Sequence, residues 1–289
     1  MAWLILSLLT ALSVASHDAW IKKFFSFLTH YEMLVYPLIY SLPLFFIAII
    51  FIPVPSLDST FYWCFLLSIP LNAISFIIYI KAIKISPLSL TIPFLAFTPA
   101  FMMITGYIFL GEVLNAWGIL GIIVICVGGY VLNSVPGEMS YLAPLKAFFN
   151  ERGSRLMFIV SFLYSLAAVI GKKGILHSSP VFFSLSFFIA HNFFLILILL
   201  FFRKIRLTTF KKMFGRGIVA GCLFFCHAIF HAWAISLTKA AYMISVKRLS
   251  ILFSIISGGA LFKEKNIKIR FLGAMLMLLG AAIITIKGQ

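Results

Sequence analysis

Ten windows of about 20 mostly apolar residues follow one another along this chain, at 3–21, 33–52, 61–80, 88–110, 115–133, 156–171, 180–202, 217–237, 240–262 and 271–286. An α-helix rises about 1.5 Å per residue, so windows of this length suit a hydrocarbon core about 30 Å thick. Lipid offers no hydrogen bonds, and a spanning segment must satisfy its own backbone, which a helix does internally. With 63% apolar and only 10% charged residues, the chain cannot coat a water-soluble surface. The expectation is an all-α integral membrane protein with ten transmembrane helices, and the lipid bilayer is its first partner.

A shift of 152 residues pairs Ala82 with Ala234, Gly106 with Gly258, Glu112 with Glu264, Gly121 with Gly273 and Gly128 with Gly280, without a gap. The chain therefore reads as a duplication: a first five-helix repeat over 1–134, a linker over 135–155 carrying Pro136, Gly137 and Pro144, and a second repeat over 156–289. Five is odd, so the second repeat must enter the membrane in the opposite sense to the first. Two inverted five-helix repeats are a common plan of secondary transporters, which hold cargo near the midplane between the halves and alternate access around it.

The net charge of +16 is distributed by side rather than as a nucleic-acid footprint. Loops after the first, third, fifth, seventh and ninth windows hold 17 Lys and Arg, the opposite face holds 4, and Lys247 and Arg248 are the other 2. By the positive-inside rule both termini face outward. The four cysteines, Cys64, Cys126, Cys222 and Cys226, all fall inside windows and read as small buried residues rather than a disulfide framework. No basic stretch precedes the first window, which argues against a cleaved signal peptide, and no targeting extension is visible. A bacterial cytoplasmic membrane is the expected location.

Lys247 and Arg248 lie about two turns inside the ninth window. A charge at the centre of a membrane helix costs about 2.5–3.5 kcal/mol on insertion scales, and such residues usually face a cavity or a partner. Their mirror positions in the fourth window are Leu95 and Ala96, so the fold repeats while the charge does not. An ammonium beside a guanidinium fork suits a phosphate or carboxylate. The competing reading is snorkelling, with both stems running about 10–12 Å back to the interface.

The glutamate after the fourth window, in FLGEVLNAWGILGIIVICVGGYVL, and its repeat after the ninth, in FKEKNIKIRFLGAMLMLLGAAI, resemble the drug/metabolite transporter superfamily, the EamA-type ten-helix carriers. The resemblance covers nearly the whole chain and implies a carrier without enzymatic parts or cofactors. Within that superfamily SVKRLSILFSI resembles the ninth-helix Lys-Arg pair of the triose-phosphate translocators, which implies a phosphate-gripping role for Lys247 and Arg248 alone. It also implies cytoplasmic termini, against the loop-charge count.

Other intramembrane polar residues fall at similar depth: Asn72, His191, Asn192, His227 and His231. His227 and His231 share a helix face and could bond cargo, relay a proton or bond a neighbouring helix. The run Cys222, Cys226, His227, His231 is not a metal site, because at about 100° per residue the cysteines point away from the histidines. Asp18, beside His17 near the end of the first window, is a proton-coupling candidate, an interfacial cap or one half of a local pair. Glu112 and Glu264 read as structural carboxylates favouring the N-terminus of the next helix. Gly118, Gly121, Gly128 and Gly129 permit close helix approach, within the fold or at a homodimer contact. The 33 Phe read as lipid-facing and core residues rather than as a stacking site for aromatic cargo.

The leading expectation is a secondary transporter for a small organic anion or phosphorylated metabolite, with Lys247, Arg248, His227, His231, Asn72, His191 and Asn192 at the substrate. A proton-coupled exporter of amino acids, amines or drugs is the alternative. A non-transporting membrane receptor or assembly subunit is a third.

Overall fold

The computed structural model describes residues 2–87, 91–132, 149–206, 210, 213–254 and 267–288. Ten α-helices are described: α1 (Ala2–Phe25), α2 (His30–Ile50), α3 (Ser59–Ile85), α4 (Thr98–Leu110), α5 (Ala116–Leu132), α6 (Arg152–Leu176), α7 (Pro180–Phe201), α8 (Phe214–Ser236), α9 (Ala240–Lys247) and α10 (Ile267–Lys287). A 3-10 helix, Ile92–Phe97, leads into α4, and no strand occurs among the described residues. Six helices, α1, α2, α3, α6, α7 and α8, are long and apolar enough to cross a membrane. Phe94–Leu110, Ala116–Val131 and Leu272–Lys287 are apolar but shorter. Glu264 and most of the linker lie outside the described residues.

Local chemistry sets the helix ends. Thr29 and Glu32 form a reciprocal capping box at the start of α2, each side chain accepting the other's backbone N–H. Asp58 caps α3 by accepting from Phe61 N–H at 2.8 Å. Ser179 caps α7, with Pro180 at its first position. Gly111 ends α4 at φ +65°, where a Cβ would be strained. Pro37, Pro43 and Pro70 lie inside helices, which a membrane helix tolerates when neighbours resatisfy the freed carbonyls.

The fourth and ninth windows differ from the uninterrupted spans expected of them. The fourth opens as a 3-10 turn, with Pro93 and Pro99 each removing a backbone donor. In the ninth, Arg248 N–H is shared between Ile244 O at 3.0 Å and Ser245 O at 3.2 Å, and Leu249 N–H reaches Val246 O at 3.0 Å. The chain thus tightens to i→i+3 bonding there. Under the 152-residue shift, 244–249 falls on 92–97, so both repeats break at one register. A stretch of 3-10 bonding inside a helix often marks a functional hinge.

The packing partners repeat as the sequence does. Helix α1 packs on α8 and α6 on α3; α4 packs on α6 and α9 on α1; α2 meets α7, α4 meets α9 and α5 meets α10. Exchanging each helix for the one five later maps these pairs onto one another. The tightest of them, α5 on α10, depends on glycine: a Cβ at Gly121 would stand 2.8 Å from Gly280 O, and one at Gly280 2.6 Å from Gly121 O. Gly128 meets Gly273 O in the same way. Of the two roles open to Gly121 and Gly128, the structure uses close approach within the fold.

Candidate functional site

A cavity of about 180 Å³ lies where the two repeats meet, lined from α1, α3, the 3-10 turn and α6 through α9. Its lining extends to Lys172, Ile175 and Phe183, near the end of the bundle where α6 turns into α7. On the other side the fully buried side chains of Ile21, Phe25, Tyr36 and Ile83 belong to the packed core.

The break in α9 delivers both cations to this cavity. Lys247 Nζ lies 3.0 Å from His227 Nε2 and 3.3 Å from His231 Nδ1. An ammonium only donates, so both ring nitrogens accept and each imidazole carries its own proton on the other nitrogen. The two histidines, four residues apart on α8, therefore form one receptor for one cation. Arg248 is 4% exposed and donates from Nη2 to Thr98 Oγ1 at 2.8 Å, tying the break in α9 to the first residue of α4. Its Nε has no acceptor among the described residues. Neither side chain snorkels clear of the protein: both line the cavity.

Facing them is Asp18, 2% exposed and within electrostatic reach of both cations. Its Oδ2 accepts from the hydroxyl of Tyr79, and its Oδ1 lies 3.3 Å from His17 Nδ1. Asp18 is therefore part of a buried network and not an interfacial cap. Asn72 lines the cavity and donates to Ser68 O at 2.9 Å. His191 lines it too, with Nδ1 3.3 Å from Asn192 Oδ1. Asn192 differs from its expected place at the substrate. It is fully buried away from the cavity lining, donating to Leu38 O at 3.2 Å and Ser41 Oγ at 3.1 Å, an interhelical clasp between α7 and α2. Neither Cys222 nor Cys226 is among the lining residues.

Sequence reading passed over Tyr79, Tyr164, Thr98 and Lys172. The duplication carried a signal for the first: under the 152-residue shift His227 and His231 fall on Ser75 and Tyr79. The aromatic residues also divide differently from the expectation, since Phe76, Phe183, Phe187, Phe188 and Phe224 line the cavity.

Glu112 acts on a different helix from the one expected. Its Oε2 accepts the N–H of Ala240 at 2.9 Å, capping α9 across the repeat boundary. Its Oε1 lies 2.5 Å from Lys172 Nζ, which also donates to Thr238 O at 2.6 Å. A carboxylate from the first repeat thus anchors the helix that carries Lys247.

Comparison with known proteins agrees with this architecture. The family model described as "EamA-like transporter family" matches residues 1–134 and 152–286, one match per repeat. A solved structure described only as "Crystal structure of protein" superposes with a TM-score of 0.65 at 12% identity, covering 99% of this chain and 96% of that one. At that identity the likeness shows the fold alone. A search of curated proteins gave no match.

Proposed function

We propose, from the premise that this chain belongs to the EamA-like transporter family and is an integral membrane protein, that it is a secondary transporter for a small organic anion or phosphorylated metabolite. In this reading ten helices form two inverted five-helix repeats, over 1–134 and 156–289, and access alternates around the cavity between them. The carrying observation is the placement of two cations, the half-buried Lys247 and the buried Arg248, at a cavity built from both repeats. Such charges are retained in a membrane where they serve a path or a ligand.

Lys247 supplies a point charge oriented by His227 and His231, and Arg248 supplies a fork steadied by Thr98. Asn72 and His191 shape the remaining polar wall. The matched breaks in the fourth and ninth spans are where the repeats would flex, and the cavity lining extends toward the end of the bundle opposite the basic loops. Loop charge orients both termini outward, and a cytoplasmic membrane of a bacterium is the setting that suits a chain of this kind.

The test is uptake into proteoliposomes of a panel of radiolabelled carboxylates and phosphate esters. The Lys247→Ala, Arg248→Ala double variant is expected to lose uptake of every anion that the parent protein moves. Unchanged uptake would sink the proposal.

One observation favours proton coupling as a second reading: Asp18 is a buried carboxylate facing the cavity, held by Tyr79 and His17. A carrier coupled through it would acidify or alkalinise the vesicle lumen during flux, read with an entrapped pH dye. Proton movement unchanged in Asp18→Asn would remove this reading.

A further inference from the structure

We infer that the cargo is a monovalent anion carried on a flat aromatic body, a deepening that rests on the anion-transport reading above. Charge sets the head group. Among the lining residues the cations are Lys172, Lys247 and Arg248. Lys172 is neutralised by Glu112 at 2.5 Å, and Asp18 offsets one of the other two. Counted at formal charges with every imidazole as a neutral ring, the lining together with Glu112 carries one positive charge, which one anionic group closes. An unbalanced charge inside a low-dielectric protein is costly, so a dianion would need a proton taken up with it. The Nε–H of Arg248, buried and without an acceptor among the described residues, is a donor that an anionic oxygen in the cavity would satisfy.

The walls set the body. Along α7 the rings of Phe183 and Phe187 lie 5.8 Å apart at 5° between planes, and Phe187 and His191 follow at 5.4 Å and 27°. This column lines the cavity, and across from it α6 contributes Tyr164, Ala167, Ala168, Gly171, Lys172 and Ile175, with small side chains at the three central positions. Phe183 closes on α6, since a Cβ at Gly174 would overlap its ring and one at Gly171 would stand 3.9 Å from it, so the free face of the column is that of Phe187 and His191. With Phe76, Phe188 and Phe224 also at the lining, the wall is rich in rings and suits a planar group, which gains edge and face contacts that a puckered ring cannot match.

Volume sets the size. A buried apolar cavity of about 150 Å³ takes up benzene. At about 180 Å³ the space here accommodates one aromatic ring with a short acidic arm.

The experiment uses the full chain in lipid nanodiscs with four probes: phenylacetate, cyclohexylacetate, benzyl alcohol and inorganic phosphate. Equilibrium binding is measured alongside the thermal unfolding midpoint, because a ligand that binds only the folded state raises it. Phenylacetate is expected to bind about tenfold tighter than cyclohexylacetate, and benzyl alcohol not to bind measurably. In Phe187→Leu the ratio of the two acids is expected to fall toward one. Equal affinity of the two acids in the parent protein would overturn the aromatic body and leave the anion site standing. Binding of phosphate alone would also overturn this inference and keep the underlying reading. No binding of phenylacetate, cyclohexylacetate or phosphate would overturn both together.

Discussion

Lys247 Nζ stands 3.0 Å from His227 Nε2, so the cation at the break of α9 is held by an acceptor on α8. His231, one turn further on, provides a second acceptor at 3.3 Å. A single helix supplies both, and it is the helix that packs on α1, where Asp18 lies. The cation is therefore positioned by its neighbours rather than by its own backbone.

Lys247→Met keeps the stem and removes the charge. Relief of ammonium desolvation offsets the loss of a donor to two imidazoles, so folding stability is expected to change by less than about 2 kcal/mol. The unfolding shift caused by added anion is expected to vanish. A large stability loss with the anion shift intact would mark Lys247 as scaffold.

Glu112 and Lys172 are nearly buried, at 13% and 8% side-chain exposure. Removing one partner of a buried pair leaves the other uncompensated, so Glu112→Ala is expected to cost about 3–5 kcal/mol in reversible unfolding. The Glu112→Ala, Lys172→Met double variant should recover part of that loss. Additive effects of the two changes would show that the pair is not coupled.

Gly280→Val should separate α5 from α10, because the first added carbon already stands 2.6 Å from Gly121 O. Overpacking of this kind costs about 1–3 kcal/mol or more. The folded fraction after detergent extraction measures it, and full recovery of folded protein would contradict the close approach.

Asp58 lies in the loop before α3, where the Phe61 N–H and then His177 hold its carboxyl below the ordinary carboxylate value. A depressed folded-state pKa gives stability that is present above the unfolded value, near about pH 4, and is lost as pH falls through the folded value. Asn also caps helices but does not titrate. Asp58→Asn should therefore show a smaller fall in unfolding midpoint between pH 7 and pH 3 than the parent protein. An identical fall would exclude Asp58 as a source of acid sensitivity.

Much of the candidate site was legible before the fold was known. Lys247 and Arg248 stood out by cost, and His227 and His231 by their shared face. Tyr79 was hidden because a tyrosine in an apolar helix looks like any other aromatic, although the duplication put it opposite His231. Asn192 was misleading in the other direction, since a buried amide in a membrane helix serves equally as cargo ligand or interhelical bond. Only the position of Leu38 and Ser41 on α2 shows which partner it has.

By itself the sequence determined that the chain lives in a membrane, that it is built twice, and that one repeat carries a charge the other lacks. Window length, the 152-residue shift and the mirror positions of Lys247 and Arg248 suffice for that. Tertiary structure decided what those charges face, where the ninth span breaks, and that Glu112 caps a helix from the opposite repeat. The physical reason is the solvent: lipid is as apolar as the protein core, so these helices need no polar stripe to mark the outward face. Without that stripe the inward face is set by packing between helices, and only the assembled bundle brings Asp18 to Lys247 and Arg248.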